Sequence, residues 1–498
     1  MSVTSSGEAA WGGSEQSMIK DPPLCVDLDG TLIRTDSLAE SILALFKRNV
    51  WLLPLLPFWL LSGRAAFKAR IAAHVYLDPS GLPYNEEVLA ELRRQRAAGR
   101  RIALVTAADI RVAQTVANHV GLFTHVFASD GETNLKSSRK AERLIGEFGE
   151  GQFDYIGDSS ADIAVWARAR RCMLARPSPW LERHLVVKCK NLNHVFGRQE
   201  SNLSFLRELP RMLRLHQWIK NLLVFVPLLT SLNLLHLGLF AQAALAFLIF
   251  GLCASSVYVT NDLLDLAADR RHPRKRDRSF ASGRVSLWTG FLLAPALLLA
   301  GAALSALYMQ STFAGVLAMY VILTIVYSIY FKQIVLIDVV ILAALYTLRI
   351  IAGAFAVQMV PSFWLLAFSM FIFLSLALVK RFAELQEAMR VGTIWIAGRG
   401  YKSTDIQLLM SLGTASGYVA VLVLALYINS EEVKLLYQRP FALWLLCPLL
   451  LYWIARMWMQ AERSNMHDDP LVFAAKDRVT LAVAGLSALV ILFAAWPL

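Results

Sequence analysis

Three aspartates and an asparagine occupy one short segment at a spacing that suits a divalent cation. The segment is NDLLDLAADR, residues 261–270, and it follows directly on a long apolar stretch. Asp262, Asp265 and Asp269 are spaced i, i+3 and i+7, which places them on one face of a helix, with Asn261 beside them. Carboxylate oxygens are good ligands for Mg²⁺, and Mg²⁺ neutralises a diphosphate. Because charge beside a bilayer is costly unless it has a use, the pattern predicts a Mg²⁺-diphosphate site at a membrane surface.

The residues that follow this segment are strongly basic. The run RRHPRKRDR occupies residues 270–278. Guanidinium and ammonium groups donate charge-assisted hydrogen bonds to phosphate oxygens, so acids and cations together favour diphosphate binding. The alternative is a solvated loop of a membrane protein, which the positive-inside rule enriches in Lys and Arg. The candidate phosphate ligands in this run are Arg270, His272, Lys275 and Arg276.

The composition is that of a membrane protein. Of the 498 residues, 56% are hydrophobic and 17% are charged, and the mean hydropathy is +0.49. This is too apolar for a soluble protein of such length. The net charge of +12 is concentrated in loops between apolar spans, which favours membrane lipids and phosphorylated substrates as partners and argues against nucleic acid. The five cysteines have no metal-ligand spacing, as is typical of a reducing cytoplasm.

The apolar residues are concentrated in the second part of the chain, which predicts separate domains. Residues 1–20 are rich in Ser and Gly and lack the apolar core of a signal peptide, so a disordered tail is expected there. We expect a soluble domain over residues 21–200, a linker over 201–215 and a membrane domain over 216–498.

Phosphate chemistry is also indicated in the soluble part. Residues 24–32, LCVDLDGTL, form a short apolar strand that runs into a turn with two aspartates. Residues 102–107, IALVTA, predict a β-strand that ends near Thr106, and residues 155–162, YIGDSSAD, predict another that ends in acids. Strands that alternate with helical stretches predict a doubly wound α/β domain.

These motifs, in this order, resemble the haloacid dehalogenase-like (HAD) hydrolase superfamily over about residues 21–200. The resemblance implies that Asp27 attacks phosphorus and that Asp29 is the general acid and base. It also implies that Thr106 binds the phosphoryl group and that Lys140, or alternatively Lys136, neutralises its charge. A strand turn in which Asp and Gly serve only geometry is the structural alternative. The Mg²⁺ ligands that the resemblance implies are Asp27, Asp29, Asp158 and Asp162.

Residues 37–76 lie where this superfamily often inserts a cap that selects the substrate. They contain VWLLPLLPFWLL, residues 50–61, an apolar segment with two prolines that is too short to span a bilayer. A buried cap helix is one interpretation. The basic flanks favour another, in which the segment touches the membrane and receives a lipid-linked phosphate.

The second part of the chain predicts a polytopic, all-α membrane domain. Loops after the even-numbered apolar spans carry most of the Lys and Arg, so the positive-inside rule places these loops and the N-terminal domain in the cytoplasm of a bacterial-type plasma membrane. Both candidate sites then face the same compartment. The nine predicted spans are 219–235, 238–259, 287–308, 311–330, 334–356, 362–379, 408–428, 440–458 and 479–497.

The segment NDLLDLAADR and the sequence HQWIKN at residues 216–221 together resemble the UbiA superfamily of intramembrane prenyltransferases, over about residues 210–498. The resemblance implies a nine-helix bundle whose central cavity holds Mg²⁺ on Asp262, Asp265 and Asp269. Pyrophosphate becomes more anionic as its bond to carbon breaks, so its departure needs this neutralisation. Lys220 and Asn221 of the HQWIKN sequence are further candidate substrate ligands.

The loop after the sixth predicted span indicates a particular branch of that superfamily. Aromatic prenyltransferases usually carry a second acidic motif there, whereas this chain reads ALVKRFAEL at residues 377–385. This sequence and the HPRKR run are similar to the polyprenyl-phosphate phosphoribosyltransferase branch, although Ser279 stands where that branch has proline. The 5-phosphate of phosphoribosyl diphosphate would explain the additional cations. The candidates in this loop are Lys380, Arg381 and Glu384.

Several polar residues near predicted span ends are open to two interpretations. Tyr327 and Lys332 are candidate phosphate ligands, with interfacial anchoring as the alternative. Asp338 and Arg349 lie within the fifth span, where charge is functional or forms a structural ion pair. No role is predicted for His467, Asp468 or Asp469 in the last cytoplasmic loop.

The sequence thus predicts a bifunctional membrane enzyme. One domain would transfer 5-phosphoribose from phosphoribosyl diphosphate to a polyprenyl phosphate, and the other would remove the 5-phosphate from the product. The alternative is a conventional prenyltransferase that uses an isoprenyl diphosphate and an aromatic acceptor. A third possibility makes the membrane domain a passive lipid-binding anchor.

Overall fold

The computed structural model describes residues 21–188, 192–197, 202–233, 235–272, 275–390, 392–394, 399–466 and 469–495. The predicted disordered tail, residues 1–20, lies outside the described residues, as do His467 and Asp468. The chain divides into two compact units. The first unit comprises the residues up to Leu206 together with Leu266–Leu287. The second unit comprises Arg207–Asp265 and Trp288–Leu498. The sequence had placed residues 266–287 with the membrane domain.

A six-stranded parallel sheet forms the centre of the first unit, with the order β3-β2-β1-β4-β5-β6. The order reverses between β1 and β4, where Val26 is in register with Ile156. Side chains that follow these two strands therefore meet at the carboxyl edge of the sheet. The strands are β1 Leu24–Val26, β2 Ile102–Asp109, β3 His125–Ser129, β4 Asp154–Gly157, β5 Arg171–Ala175 and β6 Leu192–Phe196.

Hydrophobic clusters on both faces of the sheet confirm the predicted doubly wound fold. Leu24 and Val26 belong to one cluster and Cys25 belongs to the other, because successive side chains of a strand point to opposite faces. The helices of this part are α1 Ser37–Arg48, α2 Leu56–Leu61, α3 Arg64–His74, α4 Glu86–Ala97, α5 Ile110–Val120, α6 Ser138–Phe148, α7 Ile163–Trp166 and α8 Pro179–Lys188.

Residues 37–76 form a cap of short helices whose apolar segment is exposed. A 3-10 helix at Val50–Leu55 contains one proline, and a second proline starts α2, so the segment breaks into short pieces. No residue of α2 is buried. Trp51, Phe58 and Leu61 are 84%, 66% and 85% exposed. Residues 50–61 therefore do not form a buried cap helix.

A buried ion cluster stabilises the amino edge of the sheet, opposite the carboxyl edge at which Asp27 follows β1. Asp154 begins β4 and is fully buried. Its carboxylate accepts hydrogen bonds from Arg170 at 2.8 and 2.9 Å and pairs with Arg100, which is also buried. Burial alone would raise the pKa of Asp154, but the two guanidinium groups hold it below its usual value.

Eight described helices of the remaining chain are long and apolar enough to cross a membrane, and the chain is an integral membrane protein. Five short helices lie between or before them. One of these, α12, belongs to the first unit. The helices are α9 Asn202–Met212, α10 Val226–Thr230, α11 Leu237–Leu264, α12 Leu266–Arg271, α13 Leu287–Tyr308, α14 Ser311–Ile329, α15 Ile337–Ala356, α16 Phe363–Arg390, α17 Ile406–Ile428, α18 Glu431–Leu436, α19 Leu446–Glu462, α20 Pro470–Lys476 and α21 Arg478–Ala495.

The first of the nine predicted spans differs from the others. Its residues form a 3-10 helix at Leu215–Phe225 that continues into the short helix α10. A 3-10 helix rises about 2.0 Å per residue, more than an α-helix, so the two pieces together reach about 30 Å. That length is similar to the hydrocarbon thickness of a bilayer. The described structure therefore contains eight long candidate spans and one shorter, tighter segment.

The predicted helix that carries the three aspartates is interrupted. Helix α11 ends at Leu264, α12 begins at Leu266, and Asp265 lies between them. The backbone N–H of Asp265 still donates to the carbonyl of Asn261 at 2.8 Å, so the interruption is limited to one residue. The expectation of one continuous helix through Asp262, Asp265 and Asp269 is therefore wrong.

Helix α15 is the central helix of the second unit. Its residues belong to two hydrophobic clusters, with Tyr346 in one and Leu345 in the other. At Gly353 a side-chain Cβ would lie 2.1 Å from the carbonyl oxygen of Val224, so only glycine allows the 3-10 segment to pack this closely. This contact positions Lys220 and Asn221 against α15.

We predict that replacing Asp154 by Asn destabilises the first unit. The change leaves Arg100 buried without its charge partner, which costs about 3 kcal/mol. The measurement is urea-dependent maleimide labelling of Cys25 and Cys172, which are buried in the same sheet, in the full-length protein. The control is Glu150→Gln, which removes an exposed ion pair with Arg168 and should change the free energy of unfolding by less than about 1 kcal/mol. Equal labelling midpoints for the two variants would contradict the prediction.

Candidate active sites of the two units

Asp27 lies directly after β1 and is 7% exposed. Its Oδ1 lies 3.0 Å from Nζ of Lys140, a buried residue on α6. The same ammonium group donates to Asp162 Oδ1 at 3.1 Å and to the hydroxyl of Tyr155 at 2.9 Å. Tyr155 in turn donates to Asp162 at 2.7 Å. Of the two lysines considered from the sequence, Lys140 is therefore the one that contacts Asp27.

Three carboxylates of the first unit are close enough to share a metal ion. One oxygen from each of Asp27, Asp158 and Asp162 lies within 4.8 Å of the others. Gly30, with φ of +77°, allows this approach, since a Cβ there would lie 2.0 Å from Asp158 Oδ2. Hard oxygen donors of this kind fit Mg²⁺.

The Asp29 carboxylate is not part of this group of three, although the sequence predicted it as a ligand. Its Oδ1 accepts a hydrogen bond from the backbone N–H of Ser37 at 2.7 Å, which turns it toward the start of α1. Thr106 is buried in β2, and its hydroxyl accepts from the backbone N–H of Ala108 at 3.0 Å. Lys136 is exposed and lines a cavity beside Asp29.

The acids of this site repel one another. Burial raises the pKa of Asp27 to about 6 in spite of Lys140. Burial and the charges of Asp36 and Asp27 raise the pKa of Asp29 to about 7. Burial also raises the pKa of Asp158 well above its usual value, and Asp27 adds to this effect. A divalent cation would relieve this concentration of negative charge.

In the second unit, Asp262 and Asp265 each have a cationic partner. Asp262 is 6% exposed and forms an ion pair with Arg214, whose guanidinium group also lies over the ring of Tyr258. Asp265 Oδ1 lies 3.2 Å from Nζ of Lys332. Asn261 is half-buried on α11. The structure thus brings the predicted ligand Lys332 to one of the predicted metal-binding acids.

Asp269 and the basic run after it belong to the first unit. Asp269 is buried and pairs with Arg278 at 2.6 Å. Arg270, which the sequence predicted as a phosphate ligand, donates to both carboxylate oxygens of Glu40 on α1, at 2.6 and 3.2 Å. His272 Nδ1 accepts from the backbone N–H of Lys275 at 3.3 Å. Lys275 and Arg276 lie in a 3-10 turn without buried residues.

Asp469, to which the sequence assigned no role, connects two predicted substrate ligands. Its Oδ2 lies 2.8 Å from Nζ of Lys220 and 3.0 Å from Nζ of Lys380. Tyr346 donates to it at 3.3 Å. Burial would raise the pKa of Asp469, but the two ammonium groups hold it well below its usual value. The Asp-Pro pair at the start of α20 was the available sequence signal, because it is typical of a helix N-terminus.

Arg349 and Asp338 are both buried in α15 but do not form the ion pair considered from the sequence. Arg349 donates to Asn221 Oδ1 at 3.1 Å and to the hydroxyl of Tyr320 at 2.8 Å. Asp338 pairs instead with Arg381 of α16 at 2.5 Å. Asp338 is thus part of a structural ion pair, as one of the two interpretations had it, but its partner lies on another helix, and helical spacing does not predict contacts between helices.

Arg381 is the centre of a closed network that includes further predicted ligands. It is fully buried and contacts Glu384 at 2.5 Å and the hydroxyl of Tyr327 at 2.9 Å. Tyr401 donates to the shared partner Asp338 at 2.5 Å. Tyr327, Arg381 and Glu384 therefore contact one another among the described residues, and their binding of substrate stays a prediction.

Comparison with known proteins assigns a family to each part of the chain. The model of the UbiA prenyltransferase family matches residues 224–484. The chain belongs to the UbiA prenyltransferase family. The model of haloacid dehalogenase-like hydrolases matches residues 24–166, so the N-terminal domain is HAD-like. Both resemblances drawn from the motifs are confirmed.

Three bacterial proteins are similar to this UbiA-family chain. It is 38% identical to the uncharacterized protein y4nM of Sinorhizobium fredii, over 94% of this chain and 90% of that protein. It is 38% identical to the nodulation protein NoeC of Azorhizobium caulinodans, over 54% of this chain and 87% of that protein. It is 31% identical to the decaprenyl-phosphate phosphoribosyltransferase of Mycolicibacterium smegmatis, over 57% of this chain and 89% of that protein.

We predict that Gly30→Ala weakens metal binding by the first unit. The added Cβ would collide with Asp158 and push one of the three carboxylates away. The matched control is Gly121→Ala, which has a similar φ of +70° but nothing within 4 Å of the added atom. Alanine at a positive φ costs about 1–2 kcal/mol in both variants, so this cost cancels in the comparison. A difference in metal binding between the two variants is therefore due to the collision with Asp158. Mn²⁺ titration of the full-length protein, followed by EPR, should show one fewer bound ion in Gly30→Ala, whereas equal counts would refute the prediction.

Proposed function

We propose that the second unit transfers 5-phosphoribose from phosphoribosyl diphosphate to a polyprenyl phosphate and releases pyrophosphate. The observation that carries this proposal is the cluster of Lys220 and Lys380 around the single carboxylate of Asp469. Two ammonium groups share one negative charge, which leaves positive charge for a donor with phosphate at both ends. Similarity to the decaprenyl-phosphate phosphoribosyltransferase of Mycolicibacterium smegmatis supports the same substrate class.

The transfer breaks the bond between C1 of ribose and the diphosphate and forms a bond from C1 to a polyprenyl phosphate oxygen. Mg²⁺ would be held by Asp262 and Asp265, and it would supply the neutralisation that the leaving pyrophosphate needs. Arg214 and Lys332, which pair with these two acids in the structure, are the cations that would donate to the diphosphate oxygens. Asp269 remains a predicted third ligand.

We infer that the HAD-like domain removes the 5-phosphate from the lipid-linked product. Asp27 attacks phosphorus, Asp29 protonates the departing ribose oxygen, and water then hydrolyses the phospho-aspartate to release inorganic phosphate. Lys140 neutralises the charge of Asp27 and of the bound phosphoryl group. Mg²⁺ on Asp27, Asp158 and Asp162 would neutralise the phosphoryl oxygens.

The exposed apolar cap segment supports a lipid-linked substrate. Trp51, Phe58 and Leu61 project from residues 50–61, and Lys47 and Arg48 precede the segment in α1. Apolar side chains beside cations are the composition of a segment that enters the interface of an anionic bilayer. The cap therefore supplies a route by which a phosphate on a membrane lipid reaches the HAD-like site.

The second candidate function is conventional prenyl transfer from an isoprenyl diphosphate to an aromatic acceptor, which the name of the matched family favours. The two functions differ in the donor. Membranes that contain the protein should therefore be incubated with phosphoribosyl diphosphate and polyprenyl phosphate, and in parallel with isoprenyl diphosphate and 4-hydroxybenzoate. Product from only the second pair of substrates would replace the phosphoribosyl proposal.

We predict that phosphoribosyl diphosphate labelled with ¹⁴C in its ribose transfers the label to extracted lipid, and that Asp265→Asn lowers the rate at least about 100-fold. The acid is partly exposed, so its loss should affect metal binding more than folding. The control is Glu431→Gln, which removes an exposed acid of the same unit. Normal lipid labelling in Asp265→Asn would contradict its metal-binding role.

We predict that Asp27→Asn separates the two activities. When the donor carries ³²P at its 5-phosphate, label should accumulate in the lipid, while release of labelled inorganic phosphate falls by at least about 1,000-fold, because the nucleophile is lost. The control is Glu132→Gln, which changes an exposed acid of the HAD-like domain. Continued phosphate release by the purified Asp27→Asn protein would exclude this domain as the phosphatase.

A further inference from the structure

A cavity of about 230 Å³ lies beside Asp29 in the first unit. Helix α3 of the cap contributes Arg64 and Lys68 to its lining, and the segment before α6 contributes Lys136. Asp27 and Lys140 do not line it. The cavity is therefore on the side of the proposed proton donor, where the alcohol part of a phosphate ester would depart.

The cations of this cavity have no carboxylate partner among the described residues. Lys68 is half-buried, and its ammonium group donates to the carbonyl of Ala107 at 2.6 Å and to Asn134 Oδ1 at 3.3 Å, both of which are neutral. Within the described ranges, no ion pair of 4.0 Å or less is formed by Arg64, Lys68 or Lys136. Burial lowers the pKa of Lys68, the charges of Asp29 and Asp36 oppose this effect, and the charge of Lys136 adds to it. An anion in the cavity would stabilise all three charges.

The acids of the cavity, in contrast, already have donors. Asp29 accepts from the backbone N–H of Ser37 at 2.7 Å, and Asp36 accepts from that of Ala39 at 2.9 Å. Asp109 accepts from the backbone N–H of Arg111 at 3.0 Å and pairs with its guanidinium group at 3.6 Å. Asp36 and Asp109 thus serve as helix caps, and among the described residues neither forms an ion pair of 4.0 Å or less with the three cations.

We propose that this cavity binds a second anionic group of the substrate, carried on the alcohol that leaves when the phosphate monoester is cleaved. This inference rests on the proposed phosphatase function and adds the substrate class. The substrate is a phosphate monoester whose alcohol part bears another phosphate, either as a free group or as a diester to a lipid. A 5-phosphoribosyl lipid belongs to this class, since its C1 phosphate would be the second anion.

The test compares two sugar phosphates that differ only in the second anion. The full-length protein is assayed with ribose 5-phosphate and with ribose 1,5-bisphosphate, each labelled with ³²P at position 5, and kcat/KM is obtained from the released label. We expect at least a 30-fold preference for the bisphosphate, since charge-assisted hydrogen bonds to a second phosphate are available only in that substrate. A third assay uses the phosphoribosyl lipid, which the protein synthesises from labelled phosphoribosyl diphosphate. Comparing it with ribose 1,5-bisphosphate distinguishes a lipid diester from a soluble phosphate as the second anion.

Variants of the cavity residues test whether the cavity causes the preference for the bisphosphate. Arg64→Gln should lower the ratio of the two kcat/KM values by about tenfold, and because Arg64 is exposed, the change should leave folding intact. Lys68→Gln should lower the same ratio by a similar factor. The matched control is Arg93→Gln, which removes one exposed positive charge from α4, outside the cavity, and should leave the ratio unchanged.

Equal kcat/KM values for the two sugar phosphates would overturn the second-anion site while leaving the phosphatase function intact. The same conclusion would follow if Arg64→Gln lowered both values equally. If neither of these compounds nor the phosphoribosyl lipid is hydrolysed, the phosphatase function fails, and calorimetry with the two sugar phosphates and the full-length Asp27→Asn protein decides the cavity. Tighter binding of the bisphosphate that Arg64→Gln abolishes would then support the site, and equal binding of both compounds would exclude it.

Discussion

Compensation of buried charge at short range is the constraint on which both units depend. Lys140 stands between Asp27 and Asp162 in the first unit, and Arg381 pairs with Asp338 in the second. An isolated charge in either place would cost several kcal/mol, so the elements that carry the partners must meet. Helix α6 is thereby held against the carboxyl edge of the sheet, and α16 is held against α15.

The same constraint divides the polar residues into two classes. Arg381 is fully enclosed by protein partners, so its role is to hold helices together. Around Asp469, by contrast, two ammonium groups face one carboxylate, and the cavity beside Asp29 is lined by three cations that form no ion pair of 4.0 Å or less with its three acids among the described residues. Such cations are available to donate to phosphate oxygens. Both proposed substrates are phosphates, and the product of the proposed transferase is a substrate for the proposed phosphatase.

The acidic segment of the UbiA-like part shows how a motif is shared between compact units. The division falls between Asp265 and Leu266, and the residues that follow are bound to the first unit through Arg270 and Glu40. This pair is nearly buried and bidentate, which makes it one of the stronger kinds of ion pair. Arg270 is therefore held by the HAD-like part, although its position after the aspartates suggested a phosphate ligand.

Local patterns in the sequence were sufficient to predict the two folds and most of the acidic residues of the two candidate sites. Some features depend only on residues that are close in the sequence, so the sequence is enough to predict them. These are the turn after β1, the apolar composition of that strand and the lengths of the apolar spans. The identity of each charge partner depended on tertiary structure. Asp338 meets Arg381 across 43 positions, Asn221 meets Arg349 across 128, and Lys220 meets Asp469 across 249. Periodicity determines which face of a helix a residue occupies, but only the packing of helices determines what that face contacts.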